Sequence, residues 1–73
     1  RVNCISAGPI KTLSSRGVGN FTTILKEIEQ RAPLQRNVNQ EEVGKTAAFL
    51  LSDFSSGITG ENIHVDAGFH AIK

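Results

Sequence analysis

The chain has 73 residues, which allows at most one small domain with a small hydrophobic core. Its composition, with 38% hydrophobic and 21% charged residues, is that of a globular protein and excludes a disordered or membrane-embedded chain. The net charge of +1, without a basic stripe, gives no reason to expect a nucleic-acid partner, and no apolar run approaches the roughly 20 residues of a membrane-spanning helix.

The first predicted element is a strand over residues 2–6, which contains Cys4, the only cysteine of the chain. A lone cysteine cannot form an internal disulfide, and in an apolar strand we expect it to be buried and inert. This use of cysteine is consistent with a reducing cytoplasm. Because the chain starts at Arg1, in mid-strand and without an initiator Met or a signal peptide, we interpret it as a piece of a longer protein.

Residues 7–12 form a loop at the carboxyl end of this strand. Gly8 has no side chain to keep a ligand from the backbone, Pro9 removes an amide, and Thr12 offers a hydroxyl. Ligands of open α/β sheets bind outside the carboxyl ends of the strands, so the loop suits a polar cofactor. Local chemistry alone is explained equally by a simple turn out of the strand.

A first helix is predicted after a Ser- and Gly-rich stretch, residues 12–19, which we expect to be a mobile connection. Asn20 can cap this helix, and Pro33 ends it near Ala32. The apolar positions follow the i, i+3, i+4, i+7 rule. They are Phe21, Ile24, Leu25 and Ile28.

A second helix is predicted to begin after Asn39, whose side chain can form a capping box with Glu42. Its broad apolar face contains Val43, Ala47, Phe49, Leu50 and Leu51. Turn residues then lead to a second strand over residues 62–66. The order strand, helix, helix, strand implies that the two strands run parallel with a right-handed crossover. Parallel sheets are buried on both faces, so further strands must belong to the fold.

Four stretches of the sequence together resemble one known family. They are residues 1–13 (Arg-Val-Asn-Cys-Ile-Ser-Ala-Gly-Pro-Ile-Lys-Thr-Leu), 31–34 (Arg-Ala-Pro-Leu), 41–50 (Glu-Glu-Val-Gly to Ala-Ala-Phe-Leu) and 57–69 (Gly-Ile-Thr-Gly to His-Val-Asp-Ala-Gly-Phe). The chain resembles the carboxy-terminal quarter of a bacterial enoyl-acyl-carrier-protein reductase of the short-chain dehydrogenase/reductase superfamily. The order Ala-Gly-Pro-Ile-x-Thr-Leu favours the enoyl reductase branch. Lys11 departs from the arginine usual in the family and lacks its planar fork.

The resemblance implies an α/β fold, namely the carboxy-terminal part of a Rossmann-like, doubly wound parallel sheet. Within a single reductase domain it implies a strand and cofactor loop over residues 1–12 and a substrate-binding loop and helix over 13–32. A helix over 39–52 and the last strand and tail over 61–73 follow.

The implied activity is reduction of the trans-2 double bond of an enoyl chain on acyl carrier protein, with NADH or NADPH as cofactor, in fatty-acid synthesis. The resemblance assigns cofactor contacts to Ala7, Gly8, Pro9, Ile10 and Thr12, and acyl-chain contacts to Leu13, Ser14, Val18 and Phe21. Among these, the backbone of Ile10 would bind the nicotinamide carboxamide, and Thr12 would contact the pyrophosphate. The catalytic Tyr and Lys of the family have no counterpart here, so the chain alone is expected to be inactive.

Two alternatives remain open. Another short-chain reductase would reduce a 3-oxoacyl substrate instead, and a small interaction module would present Phe21, Ile24 and Ile28 to a partner. For the module, the chain must fold alone.

The remaining polar residues are expected to be structural. His64 has no second histidine or carboxylate at metal-ligand spacing, so we expect no metal site there. His70 is expected to pack, and Asp53 and Asp66 occupy turn positions. The family implies a homotetramer, and Ile63, Val65, Phe69 and Ile72 would fill either its interface or the core of one subunit.

Overall fold

The structure is a computed structural model, and it describes residues 1–10 and 20–72. The chain begins with a strand, β1 (Cys4–Ala7), which is followed by two helices, α1 (Phe21–Arg31) and α2 (Gln40–Leu51). A second strand, β2 (Asn62–Val65), comes after the helices. Short 3-10 turns follow α2 and β2, at Asp53–Ser55 and Phe69–Ala71. The predicted mobile connection lies outside the described residues. No helix in the described part of the chain is long and apolar enough to cross a bilayer.

The two strands pair in parallel, which confirms the prediction drawn from the long crossover. Cys4 is paired with Asn62, and Ala7 is paired with Val65. The first strand begins two residues later than predicted, because Val2 bonds instead to the turn before β2. Its N–H donates to the Thr59 hydroxyl (3.0 Å), and its carbonyl accepts from Gly60 N–H (2.7 Å).

Arg1 connects the start of the chain to the residues after α2 by hydrogen bonds. Its guanidinium donates to the Ser55 carbonyl (2.8 Å), the Ser55 hydroxyl (3.0 Å) and the carbonyls of Ile58 (3.1 Å) and Ser52 (3.2 Å). Ser55 is buried, and its hydroxyl donates to the carbonyl of Leu50 (2.8 Å). Several backbone carbonyls that follow α2 are therefore satisfied by one planar side chain.

The two helices begin differently, although both follow an asparagine. Asn39 forms the predicted capping box with Glu42, with both of its hydrogen bonds present. Asn20 precedes α1, but its side chain makes no capping hydrogen bond, so that part of the prediction is wrong. The backbone of Asn20, at φ −102° and ψ 5°, lacks the extended conformation of a typical N-cap. Helix α1 ends at Arg31, just before Pro33, as predicted.

The core lies between the end of α1, the segment before α2 and the turn after β2. Its buried side chains are Ile28, Ala32, Val38 and Ala67, against which Ile10, Val65 and Phe69 pack. Val65 and Phe69 thus fill the core of the chain itself, which is one of the two roles expected of them. Gly68 has a positive φ of 88°, and a Cβ there would lie 2.9 Å from Pro33 Cγ. This turn accepts glycine alone without strain.

An apolar face remains open around the start of the chain and the end of α2. Val2 is 76% exposed, Leu51 85% and Phe54 91%. Cys4 is also exposed, so the expectation of a buried thiol is wrong for the residues described. Part of the apolar face predicted for α2 is likewise uncovered. A parallel sheet of two strands is expected to need further covering elements.

Candidate functional site

The candidate cofactor loop leaves β1 at its carboxyl end, beside the parallel end of β2. Gly8 N–H donates to the Val65 carbonyl (2.9 Å), which extends the strand pairing into the first residue of the loop. Ala7 is exposed, whereas Gly8, Pro9 and Ile10 are half-buried, and Ile10 packs against the core. The loop therefore starts from a fixed position at the ligand-binding edge of an α/β sheet.

Gly8 is required by a close approach of two chain segments. A Cβ at this position would lie 3.2 Å from Asp66 Cβ, 3.3 Å from Asp66 Cα and 3.7 Å from Val38 Cγ2. From the sequence alone, this glycine is explained by the approach of a ligand to the backbone. The structure supplies a different reason, because a side chain at this position would lie unusually close to Asp66, the residue after β2.

Four further predicted residues, Thr12, Leu13, Ser14 and Val18, lie outside the described residues. Phe21, the other predicted acyl-contact residue, is half-buried at the first position of α1. The structure thus places Ala7 to Ile10 together at one edge. Half-burial of Phe21 is compatible with a place in the core and with a pocket wall.

An open concavity of about 380 Å³ lies between the loop and the start of α2. It is lined by Ile10, Val38, Asn39, Gln40 and Glu41. Its walls combine two aliphatic side chains with neutral amides and one carboxylate. The lining therefore offers apolar contact together with groups that form hydrogen bonds.

The start of α2 is not equipped to hold a phosphate group. Asn39 Oδ1 accepts from Glu42 N–H (2.9 Å), and Glu42 Oε1 accepts from Asn39 N–H (3.1 Å). Glu41 and Glu42 also place negative charge in the first turn. A helix N-terminus attracts anions through its unpaired N–H groups, and here one of these groups, the Glu42 N–H, already donates to the Asn39 side chain.

Arg36 holds the carboxylate of this capping box. Its two terminal nitrogens donate to Glu42 Oε1 and Oε2, each at 2.8 Å. This hydrogen bonding, assisted by the capping bond from Asn39, keeps the pKa of Glu42 below its ordinary value, and Glu42 in turn raises the pKa of Arg36. Both side chains therefore stay charged at neutral pH.

Asp66 organises the turn after β2 and was recognised from the sequence only as a turn residue. Its carboxylate accepts from the N–H groups of Gly68 (3.0 Å) and His70 (3.1 Å), and both oxygens lie 3.0 Å from His70 Nδ1. Burial raises the pKa of Asp66, but these hydrogen bonds and the charge of His70 outweigh it, so the pKa lies below its ordinary value. Asp66 is therefore ionised at neutral pH.

His64 has two potential metal-ligating neighbours, Asp66 and His70. Its ring is stacked on that of His70, with centroids 3.8 Å apart and planes 9° from parallel, and Asp66 completes the group. The expectation that no second histidine or carboxylate stands at metal-ligand spacing from His64 is wrong, because Asp66 and His70 lie close enough to share an ion with it. The spacing His-x-Asp-x-x-x-His could have indicated this cluster, because the turn brings position 70 back beside the strand.

A sequence profile described as Enoyl-(Acyl carrier protein) reductase matches residues 1–70. The chain belongs to this reductase family. The similar proteins include the Staphylococcus aureus "Enoyl-[acyl-carrier-protein] reductase [NADPH] FabI", which is 81% identical over 73 residues, covering 100% of this chain and 28% of the relative. The Bacillus cereus reductase, named with NADH, is 67% identical over 72 residues, covering 99% of this chain and 28% of the relative.

Solved structures of enoyl reductases share the fold. The Bacillus cereus enzyme with NADP⁺ and indole naphthyridinone matches with a TM-score of 0.93 at 66% identity, over 100% of this chain and 28% of that one. The Anaplasma phagocytophilum enzyme with NAD matches with a TM-score of 0.89 at 49% identity, over 99% of this chain and 28% of that one. These likenesses confirm the predicted Rossmann-type α/β class. The chain spans about 28% of the length of these reductases, and its position along them remains a prediction.

Proposed function

We propose that the complete protein carrying this segment is an enoyl-acyl-carrier-protein reductase of fatty-acid synthesis. It would reduce the trans-2 double bond of an enoyl chain, with NADH or NADPH supplying the hydride. The proposal rests chiefly on the family match across residues 1–70. The described geometry supports it, because a half-buried loop leaves the carboxyl end of β1 beside a concavity that suits a nicotinamide ring.

The segment's share of the work is to position the cofactor and the acyl chain. Ala7, Gly8, Pro9 and Ile10 would form the wall beside the nicotinamide, with the Ile10 backbone bound to its carboxamide, and Thr12 would contact the pyrophosphate. Leu13, Ser14, Val18 and Phe21 would line the acyl pocket and help to exclude water. Residues 1–73 would thus be one part of a single reductase domain whose catalytic Tyr and Lys lie elsewhere.

The cellular setting follows from the same proposal. The complete protein would act in the cytoplasm as a closed, symmetric homotetramer, with enoyl-acyl carrier protein as its partner. Sedimentation equilibrium of the complete protein tests the assembly: a mass of four subunits is expected, and a stable monomer would contradict it.

The activity is tested by following oxidation of NADH and of NADPH by the complete protein with a trans-2-enoyl thioester. Steady turnover with at least one cofactor is expected, and the comparison of the two decides the preference, since the relatives are named with either. A 3-oxoacyl thioester is the control substrate. Turnover of that substrate alone would favour the other short-chain reductase and overturn the proposal.

Thr12→Ala in the complete protein tests the cofactor role of that residue. Loss of a hydrogen bond to a charged phosphate group costs about 1.5–3 kcal/mol, so the KM for the cofactor should rise about 10- to 100-fold. Thr23→Ala is the matched control, because Thr23 is exposed on α1 and should leave the KM unchanged. An unchanged KM in Thr12→Ala would remove that residue from the site.

A further inference from the structure

The cluster of His64, Asp66 and His70 lies at the end of β2 and has no part in the proposed reaction. One potential ligand atom from each residue lies within 4.8 Å of the others. All three come from a stretch of seven residues that a strand and a 3-10 turn hold in place. Bringing these ligands together therefore requires little further loop closure.

Asp66 fixes both the orientation and the tautomer of the His70 ring. An ionised carboxylate only accepts hydrogen bonds, so His70 Nδ1, 3.0 Å from both Asp66 oxygens, must carry the proton. In the neutral ring, the lone pair then belongs to Nε2. A carboxylate bound to the far nitrogen of an imidazole is the arrangement that orients histidine ligands in metal sites. The Asp66 side chain is only 13% exposed and is held by two backbone N–H groups, so this support is rigid.

His64 supplies a second imidazole directly beside the first. An imidazole binds a metal ion in the plane of its ring, and two parallel rings with centroids 3.8 Å apart share no such position. One ring must turn before both can bind the same ion. His64 is exposed, whereas His70 is tied to Asp66, so His64 is the ring that turns.

We propose that His64 and His70 bind a divalent transition-metal ion through one ring nitrogen each, with Asp66 as the partner that orients His70. Water completes the coordination. Imidazole ligands favour Zn²⁺, Cu²⁺ and Ni²⁺, whereas Mg²⁺ and Ca²⁺ prefer sites built from oxygen. Two protein nitrogens and water make an open, exchangeable site, unlike a closed four-ligand structural zinc site.

The test is a calorimetric titration of the chelator-treated complete protein with Zn²⁺. The wild type should bind one equivalent more than either His64→Gln or His70→Gln. Asp66→Asn should still bind this additional Zn²⁺ ion but about 10- to 100-fold more weakly, because the variant lacks the charged partner of His70. Glu61→Gln is the matched control: it removes an exposed negative charge just before β2 and leaves the cluster intact, so its binding should equal that of the wild type.

Cu²⁺ provides a second readout with a direct signature of the ligands. Electron paramagnetic resonance of the wild type should show coupling to two imidazole nitrogens at this site, and each histidine variant should lose one. Equal Zn²⁺ stoichiometry and affinity in the wild type and both histidine variants would overturn the proposal. Both histidines are exposed, so these variants should fold, which far-ultraviolet circular dichroism checks. No reductase activity enters the measurement, so its result is separate from that of the proposed function.

Discussion

At the scale of single residues, close contacts of the backbone explain which glycines the fold requires. A Cβ at Gly8 would lie 3.2 Å from Asp66 Cβ, whereas one at Gly44 would meet no atom within 4 Å among the described residues outside its own turn of helix. Gly44 lies inside α2, where glycine is less favourable than alanine because it loses more conformational entropy. The same substitution should therefore have opposite effects at the two positions.

Gly8→Ala should lower the free energy of unfolding of the complete protein by about 1–3 kcal/mol, because β1 and the residue after β2 must move apart. Gly44→Ala should raise it by about 0.5–1 kcal/mol. Urea denaturation of both variants measures this pair of effects. If Gly8→Ala changed the free energy of unfolding as little as Gly44→Ala does, the contact between Gly8 and Asp66 would be shown to relax without cost.

The lowered pKa of Asp66 makes the turn after β2 sensitive to acid. A carboxyl group whose pKa is lower in the folded state contributes stability above its unfolded pKa, about 3.9, and loses it as the pH falls through the folded value. Asp66→Asn should therefore be less stable than the wild type at pH 7, and this difference should shrink below about pH 3.9. Denaturation at a series of pH values measures it. A difference that is independent of pH would mean that the charge of Asp66 does not stabilise the fold.

At the scale of elements, the two asparagines before the helices show what a local sequence pattern can and cannot predict. Both stand at an N-cap position, but only Asn39 has the extended backbone and the glutamate three residues later that a capping box needs. Nearby residues determine the capping box and the end of α1 before Pro33. The order of the elements determines the parallel pairing of the strands. They were all predicted correctly.

Asn39→Ala should cost about 1 kcal/mol of stability, because it leaves the N–H of Glu42 without its acceptor. Asn20→Ala should change the stability by much less, since the Asn20 side chain forms no capping bond. Thermal denaturation of the two variants of the complete protein compares the helices directly. A similar loss in both would show that Asn20 caps α1 in solution.

Features that depend on distant side chains could not be predicted in the same way. Nothing near Arg1 in the sequence indicates its role, because its hydrogen-bond partner Ser55 lies 54 positions further along the chain. The cluster of His64 and His70 depends on a turn whose geometry the strand pattern does not reveal. The exposed Cys4 was misjudged because an apolar strand is buried only where other elements cover it. Tertiary packing decides each of these cases.

At the scale of the whole molecule, the open apolar face around Val2, Leu51 and Phe54 argues against independent folding. We expect the isolated 73-residue chain to show no cooperative thermal transition by circular dichroism and no reductase activity. Burial of so little apolar surface cannot offset the conformational entropy that folding costs. A sharp, reversible transition of the isolated chain would instead favour the small interaction module.

The parallel pairing of β1 with β2 also fixes an order of events during synthesis on the ribosome. Asn3 accepts a hydrogen bond from Glu61, 58 positions further along the chain. At about 5–20 residues per second, the first strand is made on the order of 3–12 s before its partner exists. During that interval Ile5 has no β2 residue beside it, and Val2 lacks the turn to which it bonds. The first strand is therefore made well before the residues that pair with it, and its pairing has to wait for the last part of the segment to be made.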